Sequence, residues 1–230
     1  MTDPDGAPGE APTEDCCAAV DPRIARHFDE RMRAAAAAGE FPQMVEVSRA
    51  LLDLLSDVES VRPTVLELGC GSGGLTVALV ERGAVRADGV DLSPGSVATA
   101  KRRAEMAGVA SRVAFLQGDG SQVAVAPHDW VVLDRVICCY ADVDRLLANS
   151  IGAAEKRYAF SVPLDSGWQG LVNRTILTAE TITRRLRGNP CPGYTHSIAK
   201  IRRRLRDAGF EALRERKVGL WYAAVFERPR

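Results

Sequence analysis

The sequence predicts an α/β fold: a mostly parallel sheet with helices on both faces, preceded by an N-terminal helical cap. Three observations predict it. Apolar runs of strand length alternate with segments of helical periodicity from Thr64 onward, the pattern of a parallel sheet. A glycine-rich turn, Gly69-Cys70-Gly71-Ser72-Gly73-Gly74, joins the first apolar run to the first of those helices. Trp130-Val131-Val132-Leu133 is nearly continuous in apolar character, as a strand covered on both faces requires.

Each element follows from local chemistry. Residues 1–18 are acidic at the start and rich in Pro and Gly, and are expected to be a disordered tail. Residues 19–62 form the expected cap. Ile24, Phe28 and Met32 recur at helical spacing from Pro22 to about Ala38, and Phe41-Pro42 breaks that helix. Met44, Val47, Leu51, Leu54, Leu55 and Val58 make a second, broader apolar stripe, ended by Arg62-Pro63. Residues 63–230 form the main domain. Strands are expected at about 64–68, 86–91, 112–117, 129–134 and 158–162. Their connecting helices run from Gly73 to Arg82 with Gly83 as the cap, from Ser93-Pro94 to Gly108, and from Asp142 to Ala154. A helix over Trp168–Arg187 and a loop at 188–193 interrupt the rhythm. A helix over Ser197–Ala208 and strands near 210–215 and 220–226 close the chain.

The totals exclude several classes. The 230 residues are 46% hydrophobic and 26% charged with zero net charge, values of an ordinary globular chain without bias toward nucleic acid or anionic membranes. No apolar run approaches bilayer length, and the N-terminus lacks signal-peptide character, so a cytoplasmic location is expected. The cysteines, Cys16, Cys17, Cys70, Cys138, Cys139 and Cys191, include no C-x-x-C spacing. Reduced thiols and no metal are expected, with a site joining Cys16/Cys17 to Cys138/Cys139 as the less favoured reading.

The glycine turn fits two patterns. Gly69-x-Gly71-x-x-Gly74 matches dinucleotide loops, and Gly69-x-Gly71-x-Gly73 matches loops for S-adenosylmethionine. Glu67, just before the turn, would repel a pyrophosphate but not a zwitterionic amino acid carrying a sulfonium. Asp91 ends the second strand about 20 residues after Gly69, where a carboxylate accepts from a ribose diol. Asp119, in Gly118-Asp119-Gly120, ends the third strand and can accept from an adenine amino group. These acids at successive strand ends line one crevice, where open parallel sheets bind ligands.

Leu66-Glu67-Leu68-Gly69-Cys70-Gly71-Ser72-Gly73, Val90-Asp91-Leu92-Ser93 and Gly118-Asp119 together resemble the successive motifs of class I S-adenosylmethionine-dependent methyltransferases. The resemblance implies a Rossmann-like seven-stranded, mostly parallel sheet whose last strand is inserted antiparallel. It implies S-adenosyl-L-methionine as cofactor and S-adenosyl-L-homocysteine as product. Glu67, Gly69, Cys70, Gly71 and Gly73 would line the methionine part, Asp91 and Leu92 the ribose, and Asp119 and Gly120 the adenine, with Asp134 near the sulfonium.

The C-terminal half is similar to magnesium-protoporphyrin O-methyltransferases at Ala154-Glu155-Lys156-Arg157, at Tyr194-Thr195-His196-Ser197 and in the helix before Gly209-Phe210. That family typically has Tyr-Phe where this chain has His27-Phe28, and His-Tyr where it has Cys139-Tyr140. Both departures face the acceptor, so a relative with another small acceptor is expected. Asp134 is either a capping acid near the sulfonium or a catalytic base. His27 is a base or a surface histidine, and His196 is a base or a contact to the following helix. The run Arg202-Arg203-Arg204 with Arg206 reads as a solvated helix face. The expected partner is a small-molecule acceptor, with no nucleic acid and no membrane span, in a monomer or homodimer. An RNA or protein methyltransferase and an NAD-binding domain are the alternatives.

Overall fold

The computed structural model describes residues 22–38, 41–186 and 193–229. The tail at 1–18, Cys16, Cys17, Cys191 and most of the 188–193 loop lie outside the described residues. The chain builds helices α1 (Pro22–Ala37), α2 (Glu46–Leu54) and α3 (Val58–Val61), then strand β1 (Thr64–Leu68) and α4 (Gly74–Glu81). Next come β2 (Arg86–Asp91), α5 (Pro94–Met106), β3 (Val113–Gln117), β4 (His128–Asp134), α6 (Val143–Gly152) and β5 (Ala154–Pro163). Then α7 (Gly167–Leu186), α8 (Ile198–Asp207), β6 (Glu211–Val218) and β7 (Trp221–Glu227) complete it.

Seven strands form one sheet in the order β3-β2-β1-β4-β5-β7-β6. β1 to β5 pair in parallel, and β7 is antiparallel to both β5 and β6. Alternate strand residues feed two cores. Val65, Ala87, Trp130, Val132, Ala159 and Val225 pack with α2, α4 and α5. Leu66, Val90, Val131, Leu133, Phe160 and Phe226 pack with α6 and α8 on the other face. The order reverses direction at β1 and β4, so their C-terminal ends border the crevice of an open parallel sheet.

Most expected boundaries coincide with the observed ones, and the departures have physical causes. The second apolar stripe is not one helix but two. The chain breaks at Leu55–Asp57, and Asp57 turns toward the sheet, accepting from Arg157 at 2.8 Å and Arg214 at 3.1 Å. The helix expected to reach Ala154 ends at Gly152, and the strand expected from Tyr158 begins at Ala154. The charged run Glu155-Lys156-Arg157 tolerates sheet geometry because its cations have partners. Lys156 meets Asp129 at 2.5 Å, and Arg157 meets Asp57 and Glu227. β6 extends to Val218, and Arg112 sits in a short 3-10 turn before β3.

The N-terminal helices serve two different layers. α2 buries Val47, Leu51, Leu52 and Leu54 in the sheet core. α1 packs on α5, where Asp29 accepts from the Gly95 N–H at 2.6 Å. Ser93 caps the same helix through Ser96 N at 3.0 Å.

Asp57 ties α2–α3 to the far half of the sheet. Burial pushes its carboxyl upward, but Arg157 and Arg214 outweigh that and hold it below its ordinary value of 3.8. Its contribution is therefore present above 3.8 and lost as pH falls through the lowered value. Asp57→Ala, read by urea denaturation at neutral pH, is expected to cost about 1–3 kcal/mol, because the guanidinium of Arg157 loses its better partner.

Candidate cofactor site

Three glycines of the β1–α4 turn have left-handed backbones: Gly69 at φ 75°, Gly71 at φ 52° and Gly73 at φ 73°. Each is required for a different reason. A Cβ on Gly69 would stand 2.4 Å from Val136 Cγ2, and one on Gly73 would stand 2.8 Å from the Cβ of Ala100. Those two glycines let the turn seat against the protein. A Cβ on Gly71 would meet nothing within 4 Å. Gly71 faces open space, the place for a ligand to approach the backbone. Arg103 braces the turn from outside, donating to Ser72 O at 2.9 Å and Pro42 O at 2.8 Å.

The acids stand at strand ends around this turn. Glu67 is buried and accepts from the Thr76 hydroxyl of α4. Burial, opposed by Thr76 and reinforced by Asp134 and Asp91, pushes its carboxyl up to about 8. Asp91 accepts from Gly71 N at 2.8 Å and Ser93 N at 2.9 Å, one oxygen to each. Burial raises its carboxyl as well. The Ser96 side chain is a further hydrogen-bond partner of this carboxyl. Leu92 follows, half-buried, with its carbonyl accepting from Gln117 at 3.3 Å. Asp119 accepts from Ser121 N, the Ser121 hydroxyl and the Tyr140 hydroxyl, each at 2.8 Å. Gly120 lies against Leu68 and Leu146; a Cβ there would approach each at 3.4 Å.

Asp134 ends β4 on the same face as Glu67. Ser48 of α2 donates to one oxygen, and Ser161 of β5 donates to the other at 2.5 Å. The next residue, Arg135, is non-glycine yet left-handed at φ 58°, a conformation held by its N–H on Ser161 Oγ at 2.9 Å. Its exposed guanidinium lies 6.0 Å from the Trp221 ring.

The remaining expected residues are dispersed. Cys70 belongs to the turn, but its thiol is buried against Gly89 and burial pushes it well above the ordinary range, a packing group rather than a nucleophile. Cys138 and Cys139 are half-buried in the turn after β4. His27 is half-buried on α1, edge-on to Phe28 at 5.7 Å. His196 borders a different cleft, of about 410 Å³, lined also by Asp165, Arg174, Lys200 and Arg204. Its Nε2 lies 2.8 Å from the Tyr140 carbonyl, and burial pushes its pKa down. No group of three or more metal-ligating side chains occurs among the described residues.

Sequence reasoning missed the hydroxyls that hold the acids: Thr76, Ser161 and above all Ser48. One signal was available for Ser48, a polar residue on an apolar helical stripe between Met44 and Leu51. Asp29 and Arg103 carried no comparable signal.

A sheet of this order, with a glycine turn and acids at successive strand ends, defines the class I S-adenosylmethionine-dependent methyltransferase fold. Residues 65–154 match the family model described as methyltransferase domain. Ribosomal protein L11 methyltransferase of Glaesserella parasuis is 37% identical over 76 residues, which are 33% of this chain and 26% of that protein. The match thus spans about a quarter of that relative. Magnesium protoporphyrin IX methyltransferase from Synechocystis PCC 6803 superimposes with a TM-score of 0.63 at 20% identity, over 90% of this chain and 98% of that one. An O-methyltransferase family protein from Burkholderia thailandensis gives 0.67 at 18% identity, over 88% and 60%.

Two outcomes follow from the turn and its acids. Gly71→Ala is expected to leave the thermal midpoint within a few degrees of wild type while weakening S-adenosylhomocysteine binding at least about tenfold; Gly73→Ala is expected to lose about 2 kcal/mol or more of stability, since its Cβ meets Ala100 as well as a left-handed backbone. Calorimetry and urea titration on both variants check this. Glu67 favours the folded state only while protonated, so its contribution is complete below 4.5 and lost as pH rises through about 8. Glu67→Gln is expected to flatten the decline in thermal midpoint of the ligand-free protein across that window, measured against wild type by scanning calorimetry.

Proposed function

We propose that the protein transfers the methyl group of S-adenosylmethionine to a small organic acceptor, releasing S-adenosylhomocysteine. One observation carries the reading: Asp91 accepts from the N–H of Gly71, whose Cβ position is open, and Asp91 and Asp134 both act electrostatically on Glu67. A cationic sulfonium and ammonium suit these acids, which a cation would help to ionise, and the pyrophosphate of NAD does not. Gly69, Cys70, Gly71 and Gly73 would pass the methionine part, with Glu67 beneath it. Asp91 and Leu92 would meet the ribose, and Asp119 and Gly120 the adenine.

The chemistry is a displacement. S-adenosylmethionine would supply an activated methyl group: an acceptor lone pair would attack the methyl carbon in line, with the carbon–sulfur bond breaking and its electron pair staying on sulfur as a neutral thioether. Any acceptor proton leaves to solvent or to a base. The main demands on the protein are alignment and exclusion of water. Both oxygens of Asp134 are engaged by Ser48 and Ser161, which favours a positioning and electrostatic role over proton abstraction. His27 remains the base candidate on the acceptor side.

A macromolecular acceptor is the second reading, favoured by the partial identity to ribosomal protein L11 methyltransferases. Against nucleic acid, Arg202 and Arg204 of the basic helix are engaged by Glu215 and Asp144. Titration calorimetry is expected to give binding of S-adenosylhomocysteine and none of NAD; the reverse overturns the cofactor. With methyl-labelled S-adenosylmethionine and a cell extract, label is expected in the low-mass fraction. Label in ribosomal protein or RNA overturns the small acceptor. Full turnover by His27→Ala would remove His27 from the mechanism.

A further inference from the structure

The segment between α7 and α8 touches the turn after β4 at two points. The N–H of Tyr194 donates to the Cys138 carbonyl at 2.8 Å, and Nε2 of His196 lies 2.8 Å from the Tyr140 carbonyl. A carbonyl can only accept, so Nε2 carries the proton and the imidazole is the donor. The ring also meets the Ile137 backbone, so it is spent on holding this turn. That turn, Ile137–Cys139 followed by Tyr140, is the support of the buried Tyr140 side chain. The Tyr140 hydroxyl donates to Oδ1 of Asp119 at 2.8 Å. A chain of two hydrogen bonds and one side chain thus runs from the segment after α7 to the acid at the end of β3.

Resting on the cofactor reading above, we propose that His196 is a positioning residue: through Tyr140 it aims the Asp119 carboxylate at the exocyclic amino group of the adenine. The same contacts link the acceptor-side turn, with Cys138 and Cys139, to the adenine end of the cofactor site. Docking of the 193–197 segment and retention of the adenine become one event.

The test compares two ligands by calorimetry: S-adenosylhomocysteine and its analogue lacking the 6-amino group. Wild type is expected to prefer the amino ligand about tenfold, the usual size of a hydrogen bond to a charged group. Tyr140→Phe, which keeps the ring and its packing, is expected to reduce that preference toward unity. His196→Ala is expected to do the same, and His196→Gln, whose amide can donate from the Nε2 position, to restore it. The proposal is overturned if both variants keep the wild-type preference, or if they lose both ligands equally along with thermal stability. Equal binding of the two ligands by wild type also overturns it, by removing the contact between Asp119 and the amino group. Failure of wild type to bind either ligand instead overturns the cofactor reading on which it rests.

Discussion

The site depends on a carboxylate held from two sides. Asp134 takes one hydroxyl from Ser48, on a helix that precedes the whole sheet, and another from Ser161, on the neighbouring strand. Ser161 also accepts the Arg135 N–H and so stabilises a left-handed backbone immediately after β4. That reversal carries Val136 against Gly69, close enough that any Cβ on Gly69 would collide with it. The glycine turn, the end of β4 and α2 are therefore one mechanical unit. A change in any of the three is transmitted to the crevice between β1 and β4.

The sequence was most informative where backbone chemistry left little choice. The ends of β1 and β2 fall at the expected residues, because a strand running into Gly69, or from Asp91 into Ser93-Pro94, can stop nowhere else. It was least informative where tertiary partners override local character. Glu155-Lys156-Arg157 belongs to a strand only because Asp129, Asp57 and Glu227 neutralise it. The apolar stripe over 44–58 gives no sign that Asp57 leaves the helix for two arginines. The acids of the site were legible, as strand ends in loops are; their hydroxyl partners were not, because Ser48 lies 86 residues from Asp134. His196 illustrates a further difficulty. A histidine in a motif suggests proton transfer, yet here its ring binds a carbonyl, a role no spacing rule distinguishes.

The acids also differ in what they ask of a ligand. Asp91 already receives two backbone N–H groups and is suited to fixed, directional hydrogen bonds. Glu67 is held by Thr76 alone, through its hydroxyl and its backbone, in a buried setting, and holds its proton to about pH 8. A cation arriving above Gly71 would favour the ionised form, so ligand binding and proton release at Glu67 are thermodynamically linked. The negative charge of Asp134 and Asp91, which helps to keep Glu67 protonated, would attract a positive ligand.

The contact between Asp29 and Gly95 gives α1 a meaning beyond packing. The first turn of α5 exposes backbone N–H groups and the positive end of a helix dipole, which together attract an anion. The chain fills that position itself: Asp29 is nearly buried there, and a side chain at residue 95 would displace it. α1 thus behaves as a tethered counter-ion. A shortened chain beginning after α1 would resemble a protein stripped of a bound anion more than one missing a domain, and small oxyanions in the buffer would compete for the vacated helix end.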